Sequence, residues 1–121
     1  MKRIYLYTKN SEKKQAIEKI CSEQKVELCA LSGGDVNRTV SDICGMPLKT
    51  AAKHKQAPLL YGLPELMLFY GIDDEALEKF LDAYKDAGIE KIRLKAVVTP
   101  TNLGWTLYEL VVELGKESAL I

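Results

Sequence analysis

"ELMLFYG" (Glu65–Gly71) is the stretch that decides the fold, because Leu66 to Tyr70 are apolar or aromatic at every position. Successive strand residues point to opposite faces of a sheet, so an uninterrupted apolar run is covered on both sides. The stretch therefore reads as a central strand with helices above and below it. Downstream, "DDEALEKFLDAYKDAG" puts Ala76, Leu77, Phe80, Leu81 and Tyr84 on one helical face, with Gly88 as its stop. "KIRLKAVVT" alternates through Ile92, Leu94, Ala96 and Val98 and reads as an edge strand, and "TLYELVVELGKESAL" as a closing helix.

Upstream, the same order of patterns occurs. "RIYLYT" (Arg3–Thr8) is a strand, and "SEKKQAIEKICSEQ" is a helix with a narrow stripe of Ile17, Ile20, Cys21 and Gln24, capped by Asn10 or Ser11. "VELCAL" is a second edge strand with Val26, Leu28 and Ala30 on one side, and "TVSDICG" starts another helix. The chain reads as a single α/β domain built from two strand-helix-strand-helix repeats, residues 1–45 and 64–121, joined by a connection over 46–63. The predicted sheet is four-stranded, parallel or mixed, in the order 2-1-3-4, doubly wound with helices. The alternative is a ferredoxin-like α+β sandwich, which also centres the first and third strands. The connection, "GMPLKTAAKHKQAPLLYGLP", is basic and suggests one helical turn after Pro47.

Composition narrows the function. The 121 residues are 47% hydrophobic and 28% charged, as in one globular domain. No stretch reaches the roughly 18 apolar residues of a membrane span, and the N-terminus lacks the apolar core of a secretory signal, so the cytoplasm is the expected location. Residues 1–63 hold 11 Lys+Arg against 6 Asp+Glu, and residues 64–121 hold 6 against 11. Opposite charge on the two halves helps them, or two copies, to meet, and argues against a nucleic-acid footprint. Cys21, Cys29 and Cys44 are too few and too widely spaced for a disulfide framework or a zinc site, and read as reduced, buried thiols.

"VVTPTNLGWTLYEL" (Val97–Leu110) holds two readings. Thr106 and Glu109 have capping-box spacing, and Trp105 and Leu110 have that of a hydrophobic staple, which explains the only tryptophan without a ligand. Thr39 and Asp42 repeat the device. Thr99, Thr101 and Asn102, at a strand's carboxyl end and before a helix, have the groups that hold a small polar or anionic ligand, although a loop that satisfies its own backbone has the same composition. "PELMLF" followed by "TPTN..WTL.EL" resembles the signature of a family of small bacterial and archaeal proteins known as a domain of unknown function. The resemblance covers Pro64 to about Lys116 and implies no activity; Pro64, Glu65, Pro100, Thr101, Asn102, Trp105 and Thr106 match its motif.

Other motifs are weaker. "LSGGDVN" (Leu31–Asn37) lacks the Lys-Ser/Thr of a phosphate loop and reads as a turn; Asp73-Asp74-Glu75 reads as a helix start rather than a metal cluster. Catalysis by Cys44 or Cys29 would need His54, the only histidine, which lies in the basic connection with Lys49, Lys53 and Lys55. The sequence thus points to a small, non-catalytic cytosolic domain for ligand binding or protein interaction. Its polar pocket is expected from Thr8, Asn10, Asp73, Thr99, Thr101 and Asn102 at the carboxyl ends of the strands. No cofactor, metal, nucleic acid or membrane is expected; the partners this reading admits are a second copy of the chain and a small polar or anionic ligand. The alternative is a small enzyme acting on a phosphorylated or carboxylated metabolite, with Asp73 as its general base.

Overall fold

The structure is a computed structural model that describes residues 2–46 and 56–119. Strand β1 (Arg3–Tyr7) leads into helix α1 (Ser11–Glu23), strand β2 (Glu27–Ala30) and the single-turn helix α2 (Val40–Ile43). Strand β3 (Leu66–Tyr70) leads into α3 (Asp74–Asp86), β4 (Leu94–Val97) and α4 (Leu107–Ala119). The helical turn expected after Pro47 lies outside the described residues, as do Lys49, Lys53, His54 and Lys55.

The four strands form one sheet in the order β2-β1-β3-β4. β2 runs parallel to β1 and β4 parallel to β3, while β1 and β3 pair antiparallel, with Arg3 opposite Tyr70 and Tyr7 opposite Leu66. The sheet is therefore mixed. Each central strand is buried on both faces. Ile4, Leu6, Met67 and Phe69 face Ile17, Ile20 and Cys21 of α1 and Phe80 and Tyr84 of α3. Tyr5, Leu66 and Leu68 face Val40 of α2, Cys44, and Leu107, Leu110 and Val111 of α4. Helices on both faces give three layers, which is the doubly wound arrangement and not the one-sided ferredoxin-like sandwich.

Local chemistry sets the element ends. Asn10 and Asp73, each in an extended conformation, accept from the amides of Lys13 (3.0 Å) and Ala76 (2.8 Å) and start α1 and α3. Gly88 stops α3 at φ +69°, a left-handed backbone that costs any other side chain about 1 kcal/mol or more. Phe69 and Phe80 meet edge to face at 5.7 Å inside the α1/α3 layer. Truncating either to alanine would cost about 3–5 kcal/mol through lost burial and the cavity left behind. One sequence expectation is displaced: Leu94, Ala96 and Val98 face α4 as a set, but Ile92 precedes the strand and is buried in the opposite layer.

The two halves share a layout. β1 and β3 have 5 residues each, β2 and β4 have 4, and α1 and α3 have 13. They also cross-brace where α2 and α4 begin. Val40 N–H donates to the Trp105 carbonyl (2.8 Å) and Leu107 N–H to the Arg38 carbonyl (2.9 Å). Ser41 N–H donates to the Leu103 carbonyl (3.0 Å) and Tyr108 N–H to the Val36 carbonyl (2.9 Å). Thr39 and Thr106 face each other at the centre of this brace.

Candidate functional site

The direction of β3 governs where a site can lie. Because β1 and β3 are antiparallel, the carboxyl ends of β1 and β2 lie at one edge of the sheet and those of β3 and β4 at the other. The single crevice expected from Thr8, Asn10, Asp73, Thr99, Thr101 and Asn102 is not formed. Thr8 and Asn10 lie beside the start of β3, and Asp73 and the Thr99–Asn102 loop lie at the far edge. A carboxyl-end crevice needs neighbouring strands that end together, and an antiparallel central pair removes that condition.

At the far edge the polar groups satisfy one another. Asn102 is 7% exposed; its Oδ1 accepts from Thr99 N–H (2.9 Å) and its Nδ2 donates to the Val97 carbonyl (3.0 Å). Its own N–H donates to Thr99 Oγ1 (3.3 Å), and Trp105 N–H donates to its carbonyl (3.0 Å). Thr101 is exposed. Thr106 Oγ1 accepts from Glu109 N–H (3.1 Å) and Glu109 Oε1 from Thr106 N–H (2.9 Å), so the capping box forms as read, with Trp105 and Leu110 packed in the same cluster. The stretch from Thr99 to Leu110 is a joint between strand and helix. Asp73 is occupied as the α3 cap, which removes the geometric basis for using it as a base beside Thr8.

The near edge is different. Lys13, in the first turn of α1, has only 5% of its side chain exposed, and its ammonium lies 2.8 Å from Glu65 Oε1. Thr8 Oγ1 donates to Glu65 Oε2 at 2.6 Å and accepts from Asn10 N–H at 3.1 Å. A chain of hydrogen bonds thus runs from the helix cap through a hydroxyl to a carboxylate whose other oxygen is held by a buried cation. Glu65 keeps 31% of its side chain exposed. It opens on one side to a cleft of about 540 Å³ lined by Tyr7, Lys9, Asn10, Leu63 and Glu65. On the other side lies a second cleft, of about 420 Å³, with Glu90, Lys91, Arg93 and Leu94. Below it, Tyr84 donates its hydroxyl to the Glu90 carbonyl, and burial together with the Glu65 and Glu90 charges pushes that phenol up to about 12.

Sequence reasoning named Thr8 and Asn10, but for a crevice shared with Asp73, Thr99, Thr101 and Asn102; it missed Lys13 and treated Glu65 only as part of a motif. The available signal was phase: Lys13 sits four residues before Ile17, on the apolar stripe, where a cation needs a partner.

Elsewhere the weaker motifs resolve as structure. In the turn Gly33–Asp35, the Asp35 carboxylate accepts from Ser32 N–H (2.8 Å) and from Arg38 (2.8 Å), so the loop carries its own anion. Thr39 caps α2 through Asp42 N–H (3.2 Å), but Asp42 turns its carboxylate to Arg38 (2.7 Å) instead of completing the box. The three cysteines are free thiols; Cys21 and Cys44 are buried and Cys29 partly so. Burial raises all three, Cys21 to about 11, which is the opposite of nucleophilic activation. Among the described residues no three metal-ligating side chains come together.

These features define a class: a small three-layer α/β domain with a polar cleft around a buried ion pair at one edge of a mixed sheet. Residues 65–121 match the family described as Domain of unknown function (DUF3783). The match begins at Glu65 and spans β3 to α4, so it includes the carboxylate of the cleft but not Thr8, Asn10 or Lys13. The sequence resemblance falls in the same half of the chain. No curated protein and no solved structure matches the chain. No helix among the described residues is long and apolar enough to cross a membrane.

Proposed function

We propose that the protein is a non-catalytic binding domain that takes a small polar ligand in the cleft beside Thr8, Asn10 and Glu65. The observation that carries this reading is the Lys13–Glu65 pair, a cation with 5% of its side chain exposed, held against a carboxylate that faces an open cleft. An ion pair withdrawn from water gives little net stability compared with apolar packing, so its position at a cleft floor is better explained by recognition. Binding is favoured over reaction because both oxygens of Glu65 already accept hydrogen bonds, from Thr8 and Lys13, which commits the carboxylate to holding the cleft together. Each oxygen retains a further lone pair, so the carboxylate accepts from hydroxyl or amine groups of a ligand lodged between Tyr7 and Leu63. Reduced thiols suit a reducing compartment, and a cytoplasmic location belongs to the same proposal.

A thermal-shift screen against polyols, amines, carboxylic acids and sugar phosphates tests it, run on the wild type, Thr8→Val and Asn102→Ala. A compound at about 100 times its dissociation constant adds about 2.7 kcal/mol, easily seen as a melting shift. The expected result is a shift lost in Thr8→Val and kept in Asn102→Ala. A shift that depends on Asn102 and not Thr8 moves the site to the other edge, and no shift with any class overturns the reading.

A further inference from the structure

We propose that the second cleft beside Glu65 is the anion-binding end of the site, and that the ligand is a hydroxylated phosphate monoester of the sugar-phosphate kind. This ligand class rests on the reading of Glu65 as an acceptor for ligand hydroxyls. Glu65 borders both clefts, so a molecule whose hydroxyls bond to its carboxylate can lay its other end among Glu90, Lys91, Arg93 and Leu94. The segment that carries the two cations is fixed from beneath. Ile92, between them, is fully buried in the α1/α3 layer, and the buried Tyr84 donates its hydroxyl to the Glu90 carbonyl. Lys91 and Arg93 are exposed on either side of the Ile92 anchor and line the cleft.

The protein leaves the charge of this cleft unbalanced. Glu65 is matched by Lys13 at 2.8 Å, whereas Lys91, Arg93 and Lys95 form no ion pair among the described residues. Lys95 is half-buried on β4, and burial together with the Lys91 charge holds it below the ordinary lysine range. Glu90 is the one acid of the cleft left to offset these three cations. That excess suits a phosphate monoester, with about two negative charges at neutral pH, better than a singly charged carboxylate. The planar donors of Arg93 also fit paired phosphate oxygens. A lysine on an edge strand ordinarily deters pairing with another sheet, and Lys95 does so on β4. Lys91 and Arg93 precede the strand and lie outside its ladder, so that use does not account for them.

The test is calorimetric titration of the full chain with a set of polyols, their monophosphates and the corresponding aldonic acids. Wild type, Thr8→Val, Lys91→Gln, Arg93→Gln and Lys19→Gln are compared; Lys19 is exposed on α1 and serves as a control for lost charge. Lys91 and Arg93 are exposed, so their variants keep the fold, which a circular dichroism melt checks. The monophosphates are expected to bind about tenfold or more tightly than the parent polyols, an advantage that shrinks at high salt. Lys91→Gln and Arg93→Gln each remove most of that advantage and leave polyol affinity unchanged, Lys19→Gln alters neither, and Thr8→Val weakens both classes. Polyols that bind as well as their monophosphates overturn this inference and leave the Glu65 site standing, as does an advantage that survives both Lys91→Gln and Arg93→Gln. Aldonic acids that match the monophosphates overturn the phosphate assignment. Monophosphate binding untouched by Thr8→Val overturns the single ligand spanning both clefts. If no compound of any class binds, the Glu65 reading and this inference fail together.

Discussion

Removing Glu65 and removing Lys13 have unequal consequences, although they are the two ends of one ion pair. At 2.8 Å the attraction is about 6 kcal/mol gross for an effective dielectric of 20, and the dehydration of both ions opposes it. Glu65→Ala deletes the attraction but leaves the ammonium buried, with 5% of its side chain exposed, and also strips the acceptor from Thr8. Breaking a buried pair this way costs about 3–5 kcal/mol. The open cleft gives the lysine stem some room to reach water, which places the expected loss at about 3 kcal/mol, or a melting point about 10 °C lower. Lys13→Met leaves behind a carboxylate that is already 31% exposed and still bonded to Thr8, so its loss is about 1 kcal/mol. The double variant keeps an apolar stem and no stranded charge, and its loss is expected to fall about 2 kcal/mol short of the sum of the singles. Urea unfolding of the four proteins measures all of this. If Glu65→Ala is no worse than Lys13→Met, or the coupling is below about 0.5 kcal/mol, the pair is a surface ion pair in energetic terms and the argument from its burial fails.

The other expectations concern the joint, the core and a helix end. Asn102→Ala removes an acceptor and a donor that serve Thr99 and Val97, and is expected to lose about 2 kcal/mol in urea unfolding while leaving ligand-induced shifts intact. Burial raises the Cys21 thiol to about 11 from the ordinary 9.0, so the unfolded chain ionises first as pH rises. The stability tied to the neutral thiol is complete below about pH 9 and is lost as pH climbs through about 11; Cys21→Ala flattens that decline in unfolding midpoints measured across the window. Gly88→Ala meets no atom within 4 Å, so its expected cost of about 1 kcal/mol comes from the positive φ alone; a variant as stable as the wild type in calorimetry would refute the left-handed stop.

Much of the architecture was legible because it depends on burial pattern. "ELMLF" is apolar on both faces and had to be central, the alternating segments at Leu28 and Leu94 had to be edges, and Thr106 with Glu109 had the spacing of the cap they form. The direction of β3 was not legible. Apolar pattern is the same for a strand read either way, and a connection over 46–63 is long enough to enter β3 from either edge of the sheet. That one unknown decided the site, since it separates Thr8 and Asn10 from Asp73 and Asn102. The Thr99–Asn102 loop was ambiguous for another reason: hydroxyls and an amide serve equally to bind a ligand or to close a turn, and only the bonds of Asn102 distinguish the two. Lys13 was overlooked because a charged residue in a first turn is ordinarily solvent-facing.

The cross-brace around Thr39 and Thr106 makes the halves behave as two subunits on one tether. Each supplies two amides and two carbonyls to the other, and each lends a central strand to the β1–β3 pairing. A chain nicked between Met46 and Gln56 keeps all of those contacts, and the tether it loses contributes an effective concentration of order millimolar. Fragment complementation, with either half supplied on a separate chain, is therefore the expected behaviour, and it makes assembly of the halves a bimolecular event that can be titrated.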